Sequence, residues 1–322
     1  MSEKLKLAFY WAASCGGCDV AVLDTDEKLL EIAKIADIYF WPVAMDFKYK
    51  DIKALDKDFL DVCFFNGAVR NSEQEEIARL LREKSKLMIA FGSCACFGGI
   101  PALANLYDPE EILSWVYSGS FSTVGKNGTR PLTRVSVPEG ELTLPEFYTA
   151  VYTLKDFVEV DYFLPGCPPP PELILGAVET LVSGVLPPRG SVLAPDKTVC
   201  DQCPREKQDK KVAAFRRPHE VIPDPDRCLL EQGIVCCGPG TRAGCGARCV
   251  QANMPCRGCF GPTDGVVDHG AKLAAVIATT ATSKDENEAA ERIGQIVDPA
   301  GTFYRFGLAA SLLRGKSLKE EN

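Results

Sequence analysis

Cysteine spacing constrains this chain more than any other feature. Twelve of its fifteen cysteines fall into three sets of four: Cys15, Cys18, Cys94 and Cys167; Cys200, Cys203, Cys228 and Cys236; Cys245, Cys249, Cys256 and Cys259. A cubane iron–sulfur cluster needs four thiolates converging on one place, usually a short Cys-x-x-Cys clip plus remote cysteines. Each set fits that description. Three such sets in one chain imply a wire for electrons rather than a single site.

The rest of the composition narrows the field by exclusion. The 322 residues, 46% of them hydrophobic and 25% charged, are enough for two domains with a sizeable core. A net charge of −8 leaves no basic stripe to neutralise phosphates, so nucleic acid is not an expected partner. The two histidines, His219 and His269, are too few for His-based zinc catalysis or a Ser-His-Asp site. Met1-Ser2-Glu3-Lys4 runs straight into a strand-like segment, with no signal peptide expected, and no apolar run has membrane-spanning length. A cytoplasmic chain with this many cysteines is expected to bind metal rather than form disulfides.

The first part alternates strands and helices. Strand-like runs are Leu5–Trp11, Asp37–Val43, Asp61–Phe65, Lys86–Phe91 and Val160–Leu164; helical spacing marks Val20–Ala36, Ser72–Lys84 and Glu172–Ser183. Ser72 and Glu75 form a candidate capping box. Such alternation implies an α/β fold with a mostly parallel sheet covered on both faces. Ser118–Leu144 breaks the rhythm and reads as a surface excursion. Leu186–Pro195, rich in Pro and Gly, marks a boundary between residues 1–185 and 186–322. From Cys200 to Pro262 Cys, Gly and Pro dominate, so order there is expected from bound clusters rather than a hydrophobic core. The tail reads as helical at Ala271–Ala281 and Glu288–Val297, and as frayed at Lys316–Asn322.

The first cysteine set follows strand ends: Cys15 and Cys18 the first strand, Cys94 the strand Lys86–Phe91, Cys167 the strand Val160–Leu164. Ligands of open parallel sheets collect beyond the carboxyl ends of the strands, so three loops would place four thiols on one edge. A thioredoxin-like redox pair is the plain alternative for Cys15-Gly16-Gly17-Cys18, but it would not need Cys94 and Cys167. For the other eight cysteines the alternative is structural zinc. Cys63 reads as a buried small hydrophobe, Cys96 points away from Cys94 if its segment stays extended, and Cys237 competes with Cys236 for the same role. Asp19 and Glu110-Glu111 could handle protons, although such carboxylates are more often caps or solvated surface. Gly98-Gly99 lacks the spacing of a dinucleotide fingerprint, and no phosphate-binding loop motif occurs.

These residues resemble the small, electron-transferring subunit of nickel–iron hydrogenases over nearly the whole chain. Cys15-Gly16-Gly17-Cys18, Gly92-Ser93-Cys94-Ala95 with Gly98-Gly99, and Pro165-Gly166-Cys167-Pro168-Pro169 look like that family's three segments around the cluster nearest the active site. Gly244-Cys245-Gly246, Cys249, Pro255-Cys256-Arg257-Gly258-Cys259 and Gly261-Pro262 look like its medial segment. The resemblance then implies that Cys200, Cys203, Cys228 and Cys236 hold the distal cluster. It also implies a flavodoxin-like domain followed by an irregular, cysteine-rich iron–sulfur domain with C-terminal helices. Members linked to membranes commonly have a histidine as first distal ligand and a proline in place of one medial cysteine. Cys200 and Cys249 stand there instead, which implies three 4Fe-4S clusters and similarity to the cytoplasmic hydrogenases of methanogens.

Within that group the chain looks most like the viologen-reducing type associated with heterodisulfide reductase. Deazaflavin-reducing and sulfhydrogenase-type small subunits are the neighbouring alternatives. No catalytic residue is expected on this chain, because the nickel–iron centre belongs to a partner large subunit. Electrons from hydrogen would pass to a further iron–sulfur or flavin partner. Two other readings compete: the cluster-bearing subunit of respiratory complex I, which lacks the two-cluster C-terminal domain, and a zinc-stabilised scaffold.

Overall fold

The computed structural model describes residues 4–124, 129–208, 211–281 and 283–314. Their strands are β1 (Leu5–Trp11), β2 (Ala36–Phe40), β3 (Leu60–Asn66), β4 (Val69–Asn71), β5 (Ser85–Phe91), β6 (Arg134–Val137), β7 (Gly140–Thr143), β8 (Phe147–Tyr152), β9 (Tyr162–Leu164) and β10 (Ser191–Val192). Six of them form one sheet in the order β10-β9-β5-β3-β1-β2, with every neighbouring pair parallel. Without the edge strand β10 this is the flavodoxin-like order, second-first-third-fourth-fifth. The α/β expectation holds.

The sheet is buried on both sides, which is why β1 carries four consecutive buried residues, Leu7–Tyr10, instead of an alternating pattern. Side chains still part by the two-residue period of a strand. Ala8, Tyr10, Cys63, Phe65, Met88 and Ala90 face one core, closed by Ile77, Ala78 and Leu81 of helix Ser72–Lys84. Leu7, Phe9, Val62, Phe64, Ile89 and Phe91 face the other, closed by helices Gly17–Leu23 and Pro171–Ser183. Cys63 lies in the first core, fully buried, as expected of a small hydrophobe.

Several local readings need correction. The segment Val20–Ala36 is two helices, Gly17–Leu23 and Lys28–Ile35, because the chain turns between them with Asp26 at φ 51°. The second strand-like run stops at Phe40, and Trp41 begins a turn. Asn71, not Ser72, caps helix Ser72–Lys84: its side chain accepts from Gln74 N–H at 2.9 Å, while Ser72 Oγ accepts from Glu146 N–H. The stretch read as a linker contributes β10, tied to the sheet by Gly190 N–H to Asp161 O at 2.7 Å and Leu193 N–H to Phe163 O at 2.8 Å. The excursion Ser118–Leu144 is largely exposed and holds the hairpin β6–β7; residues 125–128 within it, and Lys316–Asn322, lie outside the described residues.

Beyond β10 regular structure is short, apart from helices His269–Thr280 and Glu286–Gly294. The expectation that no hydrophobic core supports this part is wrong. Val199, Val212, Phe215, Leu229, Leu230, Ile234, Val250, Leu273 and Ile277 pack together, and Cys236, Cys237 and Cys256 are buried among them. The domain folds back on the sheet's loops: Gly99 N–H donates to Phe306 O at 3.1 Å and Ser93 Oγ to Cys259 O. Among the described residues no helix is long and apolar enough to cross a membrane.

Candidate iron–sulfur sites

Turns at the ends of β1, β5 and β9 carry the first set. Cys15 and Cys18 flank the start of helix Gly17–Leu23, Cys94 sits in helix Gly92–Phe97, and Cys167 follows Pro165-Gly166. Ser93 N–H donates to Gly166 O at 2.7 Å, fastening two of the three loops together. Burial pushes the Cys18 thiol far up, and the Cys94 and Cys167 sulfurs beside it push in the same direction. Cys94 is pushed up to about 12, by burial first and then by Cys167 and Cys15. Cys167 rises by burial and by Cys15. The four sulfurs thus share one field.

Glycine makes room for them. A Cβ on Gly92 (φ +84°) would overlap Cys18 Sγ, and one on Gly99 (φ +57°) would stand 2.5 Å from Cys94 Sγ. Cys96 does point away from Cys94, though not because the segment is extended. On a helix two residues turn about 200°, so Cys96 enters the sheet core, where its Sγ donates to Ala90 O at 3.2 Å. Beside Cys18, Asp19 is buried and accepts from Trp41 Nε1 at 2.8 Å and Asn66 Nδ2 at 2.6 Å. Glu111 proves to be a helix cap with Asp108, and Glu110 a partner of Arg130.

Cys200, Cys203, Cys228 and Cys236 line a single cavity, with Val199, Leu229, Leu230 and Val250 around them. Gly238 borders it, its Cβ direction 3.4 Å from Cys200 Sγ and 3.6 Å from Cys236 Sγ. Cys237 does not line this cavity. It is buried behind, its N–H donating to Cys256 O at 2.9 Å and its own carbonyl accepting from Thr241 Oγ1 at 2.7 Å. Of this neighbouring pair, Cys236 faces the cavity.

Around Cys259 the third set gathers: its thiol is raised to about 12, by burial first and then by Cys167, Cys245 and Cys249. Cys256 is also raised, by burial and then by Cys236, Cys237 and Cys259. Two hydrogen bonds join the sets in series. Ser93 Oγ, next to Cys94, donates to Cys259 O, and Cys256 N–H donates to Cys236 Sγ at 3.3 Å. The order along the molecule is therefore the set at the sheet edge, then Cys245–Cys259, then Cys200–Cys236.

All fifteen cysteines are free thiols. Among the described residues no three His, Cys, Asp or Glu side chains converge on a position for one metal ion. A cubane asks less convergence than zinc, since each thiolate binds its own iron around an inorganic core. Clustered sulfur, glycine clearance and backbone N–H groups aimed at sulfur all fit such a group. Sequence reasoning missed the N–H donor from Cys256 and the hydroxyl of Ser93. Backbone direction leaves no residue-type signal.

Residues 15–181 match the family described as NADH ubiquinone oxidoreductase, 20 Kd subunit. That span begins at Cys15, includes the whole first set and stops short of the other two sets. The iron-sulfur subunit of the F420-non-reducing hydrogenase of Archaeoglobus profundus is 39% identical, covering 98% of this chain and 99% of its own length. A vhu subunit of the F420-non-reducing hydrogenase of Methanocaldococcus jannaschii is 41% identical, covering 97% and 98%. Among solved structures, a [NiFeSe]-hydrogenase chain from Dm. baculatum superimposes with TM-score 0.51 at 20% identity, covering 82% of this chain and 96% of that one. This last likeness is one of fold.

Proposed function

The chain belongs to the NADH ubiquinone oxidoreductase 20 Kd subunit family, among nickel–iron hydrogenase small subunits of the F420-non-reducing kind, and from that premise we propose that it carries three 4Fe-4S clusters in series. As such a small subunit it transfers electrons and pairs with a large subunit. Cys15, Cys18, Cys94 and Cys167 would hold the proximal cluster, Cys245, Cys249, Cys256 and Cys259 the medial, and Cys200, Cys203, Cys228 and Cys236 the distal. When bound, the clusters supply one-electron storage.

The remaining work belongs to the chain. The thiolates fix each position, and burial keeps water from the inner sulfurs. Cys256 N–H, in one set, donates to Cys236 Sγ of another and favours the charged form of that sulfur, and Ser93 Oγ, next to Cys94, donates to Cys259 O. This head-to-tail arrangement is the observation that carries the reading. A lone redox pair at Cys15 and Cys18 would not need it. A zinc scaffold would need sulfurs closing on one ion.

The acceptor is inferred at one further remove. The full-length relatives are named F420-non-reducing, which favours the viologen-reducing, heterodisulfide-reductase-associated type over a deazaflavin-reducing one. A cytoplasmic setting and a further iron–sulfur or flavin acceptor subunit go with that type. The second and third cysteine sets, all beyond residue 185, separate the chain from a respiratory complex I subunit of the same family.

The deciding measurement is iron and zinc analysis of the anaerobically purified complex: about twelve irons per chain supports three cubanes, whereas zinc without iron defeats the wire. Cys94→Ala should then remove about four irons and abolish hydrogen-dependent viologen reduction. An unchanged iron content in that variant would remove Cys94 from the proximal set.

A further inference from the structure

Behind the Cys236-Cys237 segment a cavity of about 280 Å³ opens between residues 215–219, Val235, Arg257 and the stretch 295–305. Four arginines line it: Arg216, Arg217, Arg257 and Arg305, with exposed His219 at the rim. Arg257 and Arg305 are half-buried, whereas Arg216 and Arg217 are exposed. The one carboxylate in the lining, Asp298, is engaged in a helix cap, its Oδ1 accepting from Gly301 N–H at 2.8 Å.

Four arginines elsewhere in this domain have partners. Arg242 pairs with Asp196 and Asp264, Arg248 with Glu172, Arg292 with Glu288, and buried Arg205 donates to the carbonyls of Asp224, Arg227 and Val250. Among the described residues no carboxylate pairs with any of the four around the cavity. Arg305 is anchored by Nε donating to Gly301 O at 2.9 Å, and it shares the cavity wall with Arg257. Guanidinium groups gathered around one cavity with no carboxylate partner among the described residues suit an anion.

We propose that this cavity binds a phosphoryl group of a small molecule, held by Arg257 and Arg305 inside and by Arg216 and Arg217 at the mouth. Planar guanidinium forks match the oxygens of phosphate in pairs. The volume lies near the small end of ligand pockets, with room for a diphosphate rather than a single halide. The shared chemistry has two sources, a free phosphate or diphosphate and the diphosphate of a nucleotide. This goes beyond electron transfer and does not rest on the cluster assignment.

The test is calorimetric titration of the anaerobically purified complex with inorganic phosphate, pyrophosphate and ADP at one fixed ionic strength. Saturable binding of one pyrophosphate per chain is expected, with phosphate weaker. ADP tighter than pyrophosphate identifies a nucleotide source; equal affinities identify the free anion. Arg305→Gln should weaken pyrophosphate at least roughly tenfold while iron content and melting temperature hold. Should that variant fail to assemble, the exposed pair Arg216→Gln with Arg217→Gln carries the test, with at least roughly threefold weakening. No saturable binding of any probe to the unmodified complex overturns the proposal, as does unchanged affinity in the variants.

Discussion

The two halves of this molecule use cysteine in opposite ways. In the sheet domain two apolar cores, packed on either face of β1, β3 and β5, fix the backbone before any ligand is considered. The four sulfurs of that half sit at its edge, on turns the sheet has already positioned. In the C-terminal domain the cysteines are the packing: Cys236, Cys237 and Cys256 are buried members of the main apolar cluster described there. A site added to a finished scaffold should survive loss of its cofactor. One that replaces part of a core should not.

Removing iron gives the largest effect and tests the contrast directly. In the iron-free chain, hydrogen exchange should leave β1, β3 and β5 protected and strip protection from residues 196–262. Equal loss in both halves would break the comparison. Next in size are the paired variants Cys236→Ala and Cys237→Ala. The first should lose about four of twelve irons with the cavity lined by Cys200, Cys203 and Cys228 opened. The second should keep its iron and cost roughly 1–2 kcal/mol of stability from lost packing. Reversed outcomes would move the distal ligand to Cys237.

Alkali offers a third cut. Burial holds the folded thiol of Cys94, in the half expected to stay folded without iron, at about 12 against an ordinary 9.0. The folded iron-free sheet therefore grips this proton more tightly than the unfolded chain. Stability is fully present below pH 9 and drains away as pH rises toward 12. In the loaded protein a ligand thiol is already deprotonated by the metal, so the slope should vanish. Denaturant midpoints measured anaerobically from pH 8 to 11 on both forms would show it; parallel curves would sink the claim that Cys94 is a ligand.

Acid acts through a different group. His269, buried with Nε2 3.0 Å from Gly240 O, is held down to about 4 from 6.5, chiefly by burial. A depressed histidine stabilises above the unfolded value and loses that contribution as pH falls toward 4. The difference amounts to about 3 kcal/mol at most. It should register in the C-terminal domain, where the His269–Thr280 helix meets the glycine turn at residues 238–240, and be flattened in His269→Gln.

Legibility in sequence followed the same divide. Where packing is periodic, residue types reported it: β1, the helix Ser72–Lys84 and the ligand loops after β1, β5 and β9 stand where spacing put them. The splitting of Val20–Ala36 was hidden because it hangs on one left-handed backbone angle at Asp26. The edge strand β10 was hidden because Pro and Gly around it read as linker. In the C-terminal domain the cysteines were legible, and so were the two late helices, expected at Ala271–Ala281 and Glu288–Val297 and found at His269–Thr280 and Glu286–Gly294. Its apolar core is drawn from residues scattered between Val199 and Phe303 without periodicity, and the arginine-lined cavity assembles from three distant stretches, so neither leaves a local pattern.

The smallest expected effect falls on the seam between the halves. Ser93, one residue before Cys94, donates through Oγ to Cys259 O, one of the few side-chain bonds tying a ligand loop of the sheet to a ligand segment of the other domain. Ser93 is buried, so Ser93→Ala leaves Cys259 O one donor short and should cost about 1 kcal/mol. The cost should not appear as lost iron, because no thiol is touched. It should appear as faster hydrogen exchange in the two turns this bond joins, at residue 93, whose N–H donates to Gly166 O, and at Gly261, whose N–H donates to Gly258 O. If exchange there is unchanged while iron is lost, Ser93 supports the proximal loop alone and the two halves are held together by other contacts.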